Sequence, residues 1–239
     1  MCGRYALYGP SSRKDREPLT FAGGSIDFAP HFNLAPMQHL PVYWHEDNAA
    51  RLSLMRWGFL PSWARDESMA ARMNNARAET VAVKPAFRAA WRRRRCLIPM
   101  NGFYEWKTTA GRKQPFYFRR PDAALIAVAG IHEQWLPPGE TVPIRTFAVL
   151  TTAANAVMAP VHDRMPVVIP PEAYGDWLDP DSDDVAPLQG LLCPPADDLL
   201  QSFPVSQRVN SVRNDDAALI DALPPSAILP PEPQQGSLL

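Results

Sequence analysis

Short, largely apolar runs recur along the chain, bounded by Pro, Gly or Asn. They are rich in β-branched and aromatic residues and read as strands. The runs are Arg4–Tyr8, Leu40–His45, Leu52–Trp57, Cys96–Ile98, Gly102–Trp106, Pro115–Phe118, Ala124–Ile131, Arg145–Thr151 and Met165–Ile169. Helices are predicted over Lys84–Arg94, Pro171–Trp177 and Asp215–Ala222, with Pro171 in a first turn and Asn214 as a cap. Most connections are too short for β-α-β crossovers, so the fold class is α+β, with twisted, mainly antiparallel sheets and a few peripheral helices. No internal boundary stands out, which makes residues 1–222 a single compact domain. The acidic, Pro-containing stretch Asp179–Ala196 reads as a surface excursion. Residues 223–239, rich in Pro, Gln and Ser, read as a disordered tail.

Composition narrows the setting. Hydrophobic residues make up 46% and charged residues 21% of the 239, enough for a sizeable core. There is no apolar h-region after Met1 and no run long enough to span a membrane, so a cytoplasmic protein with no membrane partner is expected. The three cysteines, Cys2, Cys96 and Cys193, are widely spaced and form no C-x-x-C pair. That pattern fits a reducing compartment and gives no metal site and no cofactor motif. Cys96 abuts an apolar strand and reads as core, and Cys193 as inert. The net charge of -1 hides a segregation. Residues 1–120 hold 20 Lys/Arg and 9 Asp/Glu, a net of +11, whereas residues 121–239 hold 4 and 16, a net of -12. Either the halves interleave and neutralise each other, or part of the surface attracts an anionic partner.

Cys2 carries the most distinctive chemistry. It follows the initiator methionine, whose removal is favoured before a small residue, and would then head the mature chain. An α-amine has a pKa of about 7.7–8, so roughly a quarter of it is neutral near pH 7.4, against about 0.1% of a lysine. The neutral amine can attack an aldehyde to give a Schiff base. The thiol of the same residue can then close on the imine carbon and trap it as a five-membered thiazolidine. Taken by itself, position 2 reads more readily as a cysteine placed by accident in a frayed terminus.

Six segments change that picture. They are Met1-Cys2-Gly3-Arg4-Tyr5, Asn33-Leu34-Ala35-Pro36, Arg56-Trp57-Gly58-Phe59-Leu60-Pro61-Ser62-Trp63, Asn74-Asn75-Ala76-Arg77-Ala78-Glu79-Thr80, Pro99-Met100-Asn101-Gly102-Phe103-Tyr104-Glu105-Trp106-Lys107 and His162-Asp163-Arg164-Met165-Pro166. In this order they resemble the SRAP family, the SOS-response-associated peptidases or abasic-site processing proteins; Pro204-Val205-Ser206 and Val209-Asn210 extend the match. The resemblance implies a single domain on barrel-like antiparallel sheets with a basic groove. It also implies binding of single-stranded DNA and a covalent link from the N-terminal cysteine to the ring-opened sugar of an abasic site. By resemblance the nucleophile is Cys2, with Asn75, Glu105 and His162 around it.

The residue types suit those roles. Glu105 lies between Tyr104 and Trp106, and desolvation beside aromatics favours a neutral carboxyl able to protonate a sugar ring oxygen or shuttle a proton to the amine. His162 can act as a second acid/base or contact a phosphate. Asn75 can donate to a sugar hydroxyl without adding charge, or serve in a turn. Arg4, Arg77 and Arg164 are candidate phosphate clamps, and Trp63 and Trp106 candidate stacking platforms. By resemblance Asn33 belongs to the DNA-binding set, and Pro36 and Trp63 to the wall that parts the strand around the lesion. Ala64 stands where some members have a second aromatic, which weakens stacking there. Arg92-Arg93-Arg94-Arg95 reads either as a phosphate track or as a solvated helix end. The resemblance also brings peptidase and lyase activities and contact with replication-fork proteins, for a protein expected to be a monomer and nucleoid-associated when bound to DNA. Two other readings stay open: a cysteine hydrolase using Cys2 and His162, which needs only the thiol, and a non-catalytic single-strand DNA-binding module.

Overall fold

A computed structural model describes residues 2–9, 19–46, 49–109, 111–181 and 186–227. Its central strands are buried on both faces. All six residues of the strand Arg95–Met100 are buried. Cys96 and Ile98 join one apolar cluster while Leu97 joins another, and Phe147/Val149 and Ala148/Leu150 divide in the same way. This period-2 division comes from a sheet with apolar layers on both sides.

The described residues contain fifteen strands: β1 (Tyr5–Leu7), β2 (Leu19–Phe21), β3 (Gly24–Ile26), β4 (His31–Leu34), β5 (His39–Glu46), β6 (Ala49–Trp57), β7 (Asn75–Arg77), β8 (Arg95–Met100), β9 (Gly102–Thr109), β10 (Arg112–Arg119), β11 (Ile126–Trp135), β12 (Ile144–Ala153), β13 (Arg164–Pro166), β14 (Val168–Ile169) and β15 (Gln201–Pro204). The pairings β12–β6–β5–β8–β11, with β11 returning to β12, close a five-stranded barrel-like ring that β7, β13 and β14 extend. A second sheet runs β15–β10–β9–β1–β4, and β2–β3 is a separate hairpin. Pairing is antiparallel except where β12 meets β6 and β7. The expected α+β, mainly antiparallel architecture is therefore observed.

Tyr5, Leu7, Phe103 and Phe118 of the second sheet pack into the cluster that fills the ring, together with Val42, Met55 and Trp57. On the outer face of that sheet, Tyr104 and Tyr117 pack with Val205, Val209 and Leu219. The ring's other face is covered by Trp91 and Trp177, from helices α2 (Arg88–Arg93) and α3 (Tyr174–Leu178). Helices α1 (Ala78–Val81) and α4 (Ala186–Gln189) are single turns.

Three expectations change. The helix expected over Lys84–Arg94 narrows to α2, because Pro85 cannot donate within a helix and 84–87 form a turn instead. The helix expected over Asp215–Ala222 is only a 3-10 turn, Ala217–Ile220, capped by Asp216 and not by Asn214. Asp215 there turns back to the Phe32 amide and His31, while Asn214 donates to the Arg208 carbonyl. The run Met165–Ile169 splits into β13 and β14, which pair with different partners. The expected tail, 223–239, lies outside the described residues from 228 onward.

Candidate active site

Strand register delivers the N-terminus to the site. Tyr5 pairs with Phe103 and Ala6 with Gly102, so continuing the antiparallel register toward the N-terminus brings Cys2 alongside Glu105 and Trp106. The Tyr104 amide donates to the Arg4 carbonyl at 2.9 Å along that line. Buried Asn101 fixes the other end of β1, accepting from the Tyr8 and Gly9 amides at 2.7 and 2.9 Å. Gly102 is required at this crossing, because a Cβ would fall 2.4 Å from the Phe118 carbonyl oxygen.

Cys2 is fully buried in the chain that carries Met1, and Asn75 Nδ2 donates to its carbonyl at 2.8 Å. Asn75 is held by β7, whose parallel pairing sets it opposite Val149. Burial pushes the Cys2 thiol well above its ordinary pKa; the nearby Glu105 charge adds to this, and the Arg4 amide bonded to the thiol opposes it. The sulfur is thus a neutral thiol, unlike the thiolate of an electropositive cysteine site.

Glu105 is buried at 3% exposure. The sequence expectation placed its desolvation on Tyr104 and Trp106, but alternation sends those rings toward the outer cluster, while Phe103 shares the inner face. Its burial therefore comes from the core beside Cys2. Glu105, Trp106 and His162 line one open cleft of about 470 Å³, together with Thr108, Lys113 and Asn210. His162 Nδ1 accepts from the Arg164 amide at 3.0 Å and lies 3.0 Å from an Asp163 carboxylate oxygen.

The candidate DNA-binding residues divide into two groups. Arg4 donates to Asn33 Oδ1 and to the Val209 carbonyl, both at 2.8 Å, and burial lowers its pKa. Asn33, 2% exposed, donates to the carbonyls of Val209, Ser211 and Asn214. The pair brackets the 209–214 segment from inside. Arg164 grips both Glu79 oxygens at 2.5 and 2.9 Å, which holds that carboxyl below its ordinary pKa. Facing outward instead are Arg77, exposed at the end of β7, and Trp63, 59% exposed in a turn. Trp106 is half-buried, with Nε1 donating to Asn210 Oδ1 at 2.7 Å. Pro36 is half-buried beside Met37, whose amide donates to the Trp57 carbonyl. Neither Pro36 nor Trp63 lines the cleft. Ala64 is buried and accepts the Trp135 indole N–H at 2.7 Å.

The arginine run is structural for the most part. Arg95 is buried and donates to the carbonyls of Trp91, Arg92, Trp177 and Asp179, and burial lowers its pKa to about 10. Arg94 pairs with Glu133 at 2.6 Å and Arg93 donates to the Pro180 carbonyl, leaving Arg92 exposed. Among the described residues, no three His, Cys, Asp or Glu gather as a metal site would require, and no helix is long and apolar enough to cross a membrane.

The family model described as SOS response associated peptidase (SRAP) matches residues 1–212. The chain belongs to the SRAP family. It is 37% identical over 224 residues to the abasic site processing protein YoaM of Bacillus subtilis (strain 168), an alignment covering 93% of this chain and 98% of that one. It is 39% identical over 227 residues to YoqW of the same strain, also named an abasic site processing protein, covering 93% and 100%. A crystal structure of a protein from Bacteroides thetaiotaomicron superposes with a TM-score of 0.73 at 25% identity, over 80% of this chain and 85% of that one. Within the SRAP motifs the sequence points to Cys2, Asn75, Glu105 and His162; Asn75 and Glu105 both act on Cys2, and Glu105 and His162 line one cleft. Thr108, two residues beyond Trp106 on β9, and Lys113, brought opposite it by the β9–β10 pairing, also line this cleft and are not marked by the motifs.

Proposed function

We propose that this SRAP protein recognises abasic sites in single-stranded DNA and links to them covalently through Cys2 once Met1 has been removed, shielding the lesion during the DNA damage response. The observation that carries this reading is that Asn75 holds the Cys2 carbonyl, the Glu105 carboxyl acts on the Cys2 thiol, and Glu105 and His162 line one cleft. A buried carboxyl next to the only residue able to offer both an α-amine and a thiol suits aldehyde capture. The relatives' names, abasic site processing proteins, supply the aldehyde: the open form of the abasic sugar.

In the proposed sequence Glu105 protonates the ring oxygen as the sugar opens, and the neutral amine adds to the aldehyde carbon. One water leaves to give the imine. The Cys2 sulfur then adds to the imine carbon, and the thiol proton ends on nitrogen. One C–N and one C–S bond thereby replace the carbonyl C=O, with loss of one water and no redox change. Asn75, by holding the Cys2 carbonyl, keeps amine and thiol oriented toward one carbon. His162 is the second proton carrier.

A cysteine hydrolase needs only the Cys2 thiol, whereas this route also needs the free α-amine, so blocking the amine separates the two. The family's peptidase description fits exposure of Cys2 by self-cleavage, and a lyase step is open to the imine before ring closure. The test is a denaturing gel of the protein with single-stranded DNA carrying one abasic site. The expected result is a heat-stable shifted band without borohydride that is absent for Cys2→Ala and for chains retaining Met1. Absence of the band from a chain with a verified free Cys2 amine rejects the reading, and a band that persists in Cys2→Ala moves the nucleophile elsewhere.

A further inference from the structure

Beyond the SRAP motifs, the β9–β10 hairpin concentrates exposed positive charge beside the cleft. Lys107, Arg112 and Lys113 are all exposed. Thr109 pairs with Arg112, Thr108 with Lys113 and Lys107 with Gln114, so the three cations occupy three successive rungs of one ladder. None of them has an ion pair or side-chain hydrogen bond with another described residue. Arg112 and Lys113 line one cleft, so an anion held there meets both charges.

The space in front of them is shaped. A second cleft of about 440 Å³ is lined by Arg112, Lys113, Gln207 and Asn210. It shares Lys113 and Asn210 with the cleft that holds Glu105 and His162, so the two are contiguous. The facing wall is the turn Gln207–Asn210, and it is held in place beforehand. Arg4 and Asn33 bind the Val209 carbonyl from within, and Trp106 binds the Asn210 side chain. Glu105, at the inner end, is the only carboxylate among the residues lining the two clefts. Cations on one wall and neutral amide donors on the other match a chain of phosphates and sugars.

We propose that the β9–β10 hairpin and the Gln207–Asn210 turn form a phosphate-binding extension of the lesion site. It takes the sugar–phosphate backbone on one side of the reacting nucleotide, with Lys113 and then Arg112 contacting successive phosphates. The proposal rests on the reading of the Cys2 cleft as a DNA site. It assigns Arg4 and Asn33 a positioning role, since they hold the wall that the strand runs along.

The probe is a single-stranded oligonucleotide with one central tetrahydrofuran residue, which mimics the lesion but has no aldehyde, so binding stays non-covalent. Fluorescence anisotropy across a range of salt gives the slope of log Kd against log salt. Removing two phosphate contacts in the double variant Arg112→Ala/Lys113→Ala should reduce that slope by about 1.4, from about 0.7 per contact on a single strand. Arg92→Ala, away from both clefts, should retain the wild-type slope. Trimming the oligonucleotide on one particular side of the lesion should erase the difference between the double variant and wild type, and trimming the other side should preserve it. An unchanged slope in the double variant overturns the proposal. So does a difference that survives both trimmings, which would mark a diffuse field. Wild-type protein that crosslinks to an authentic abasic site while the double variant keeps the wild-type slope rejects the extension alone. Wild-type protein that neither binds nor crosslinks rejects the underlying reading with it.

Discussion

At the scale of single residues, the site depends on a few hydrogen bonds that fix backbone more than they touch a ligand. Asn75 is the clearest case, because its amide grips the Cys2 carbonyl and has no other role evident in the fold. One such bond is worth about 1 kcal/mol, or roughly fivefold in rate if it acts mainly on orientation in the transition state. Asn75→Ala should therefore slow single-turnover crosslinking about fivefold with little change in melting temperature. Asn75→Asp should be slower still, since a carboxylate cannot donate and would repel the carbonyl oxygen. Equal rates for all three proteins would remove Asn75 from the positioning of Cys2. The chemistry-bearing residues were legible because their types are improbable together: an N-terminal cysteine, a glutamate in an aromatic strand, a histidine before Asp-Arg. The partners of Arg4, Asn33 and Arg164 were not legible. Each directs donors to groups far along the chain, and a sequence shows a charge without showing what it faces.

At the scale of elements, the Arg92–Arg95 run shows how one charge cluster can hold opposite roles. Arg95 lies one strand residue inside β8 and ties the end of α2 to the end of α3 through four carbonyls. Arg92 points to solvent. Arg95→Ala strands several buried acceptors, at about 1–3 kcal/mol each when unsatisfied, and should lower the urea midpoint sharply. Arg92→Ala should leave it within experimental error, and equal effects of the two would contradict the anchoring role. The same separation explains what the pattern of hydrophobic residues conveyed. Strands of six to ten residues such as β5, β8, β11 and β12 were visible through length and β-branched content. The three-residue strands β2, β3 and β7 were not, because three residues carry no period of their own; β1 and β13, equally short, were visible only inside the longer apolar runs Arg4–Tyr8 and Met165–Ile169. Sequence also did not reveal that the central strands close into a ring, since the β12–β6 and β12–β11 pairings that shut it are backbone hydrogen bonds between segments far apart in the chain, which leave no mark on residue type.

At the scale of the molecule, the basic first half and acidic second half interleave in part. Arg94–Glu133, Arg145–Glu46 and Arg164–Glu79 each join one half to the other, so the segregation along the sequence is partly cancelled in space and survives where no partner reaches, as on the β9–β10 hairpin. This lattice of arginines surrounds one buried titratable group. His132 on β11 is 3% exposed, with its ring 4.8 Å from that of Trp44, and Arg145 stacks over the same tryptophan. Burial, reinforced by the charges of Arg94 and Arg145, lowers its pKa from 6.5 to about 3. The folded protein therefore holds the neutral ring, while the unfolded chain takes up a proton below pH 6.5. The stabilisation from keeping His132 neutral is present in full above pH 6.5 and is lost as the pH falls toward 3, at up to about 1.4 kcal/mol per pH unit. Paired carboxylates such as Glu79, also depressed, add their loss only from about their ordinary value of 4.5 downward. The interval between pH 6.5 and 4.5 thus separates the histidine from the ion pairs. Urea unfolding at steps across that interval should show wild-type stability falling, and His132→Gln should be less stable at pH 7 yet fall less steeply. The other histidines contribute equally to both proteins, so the difference between the two curves isolates His132. Parallel curves would mean that the ring is protonated in the fold, with water or a carboxylate reaching it among the arginines.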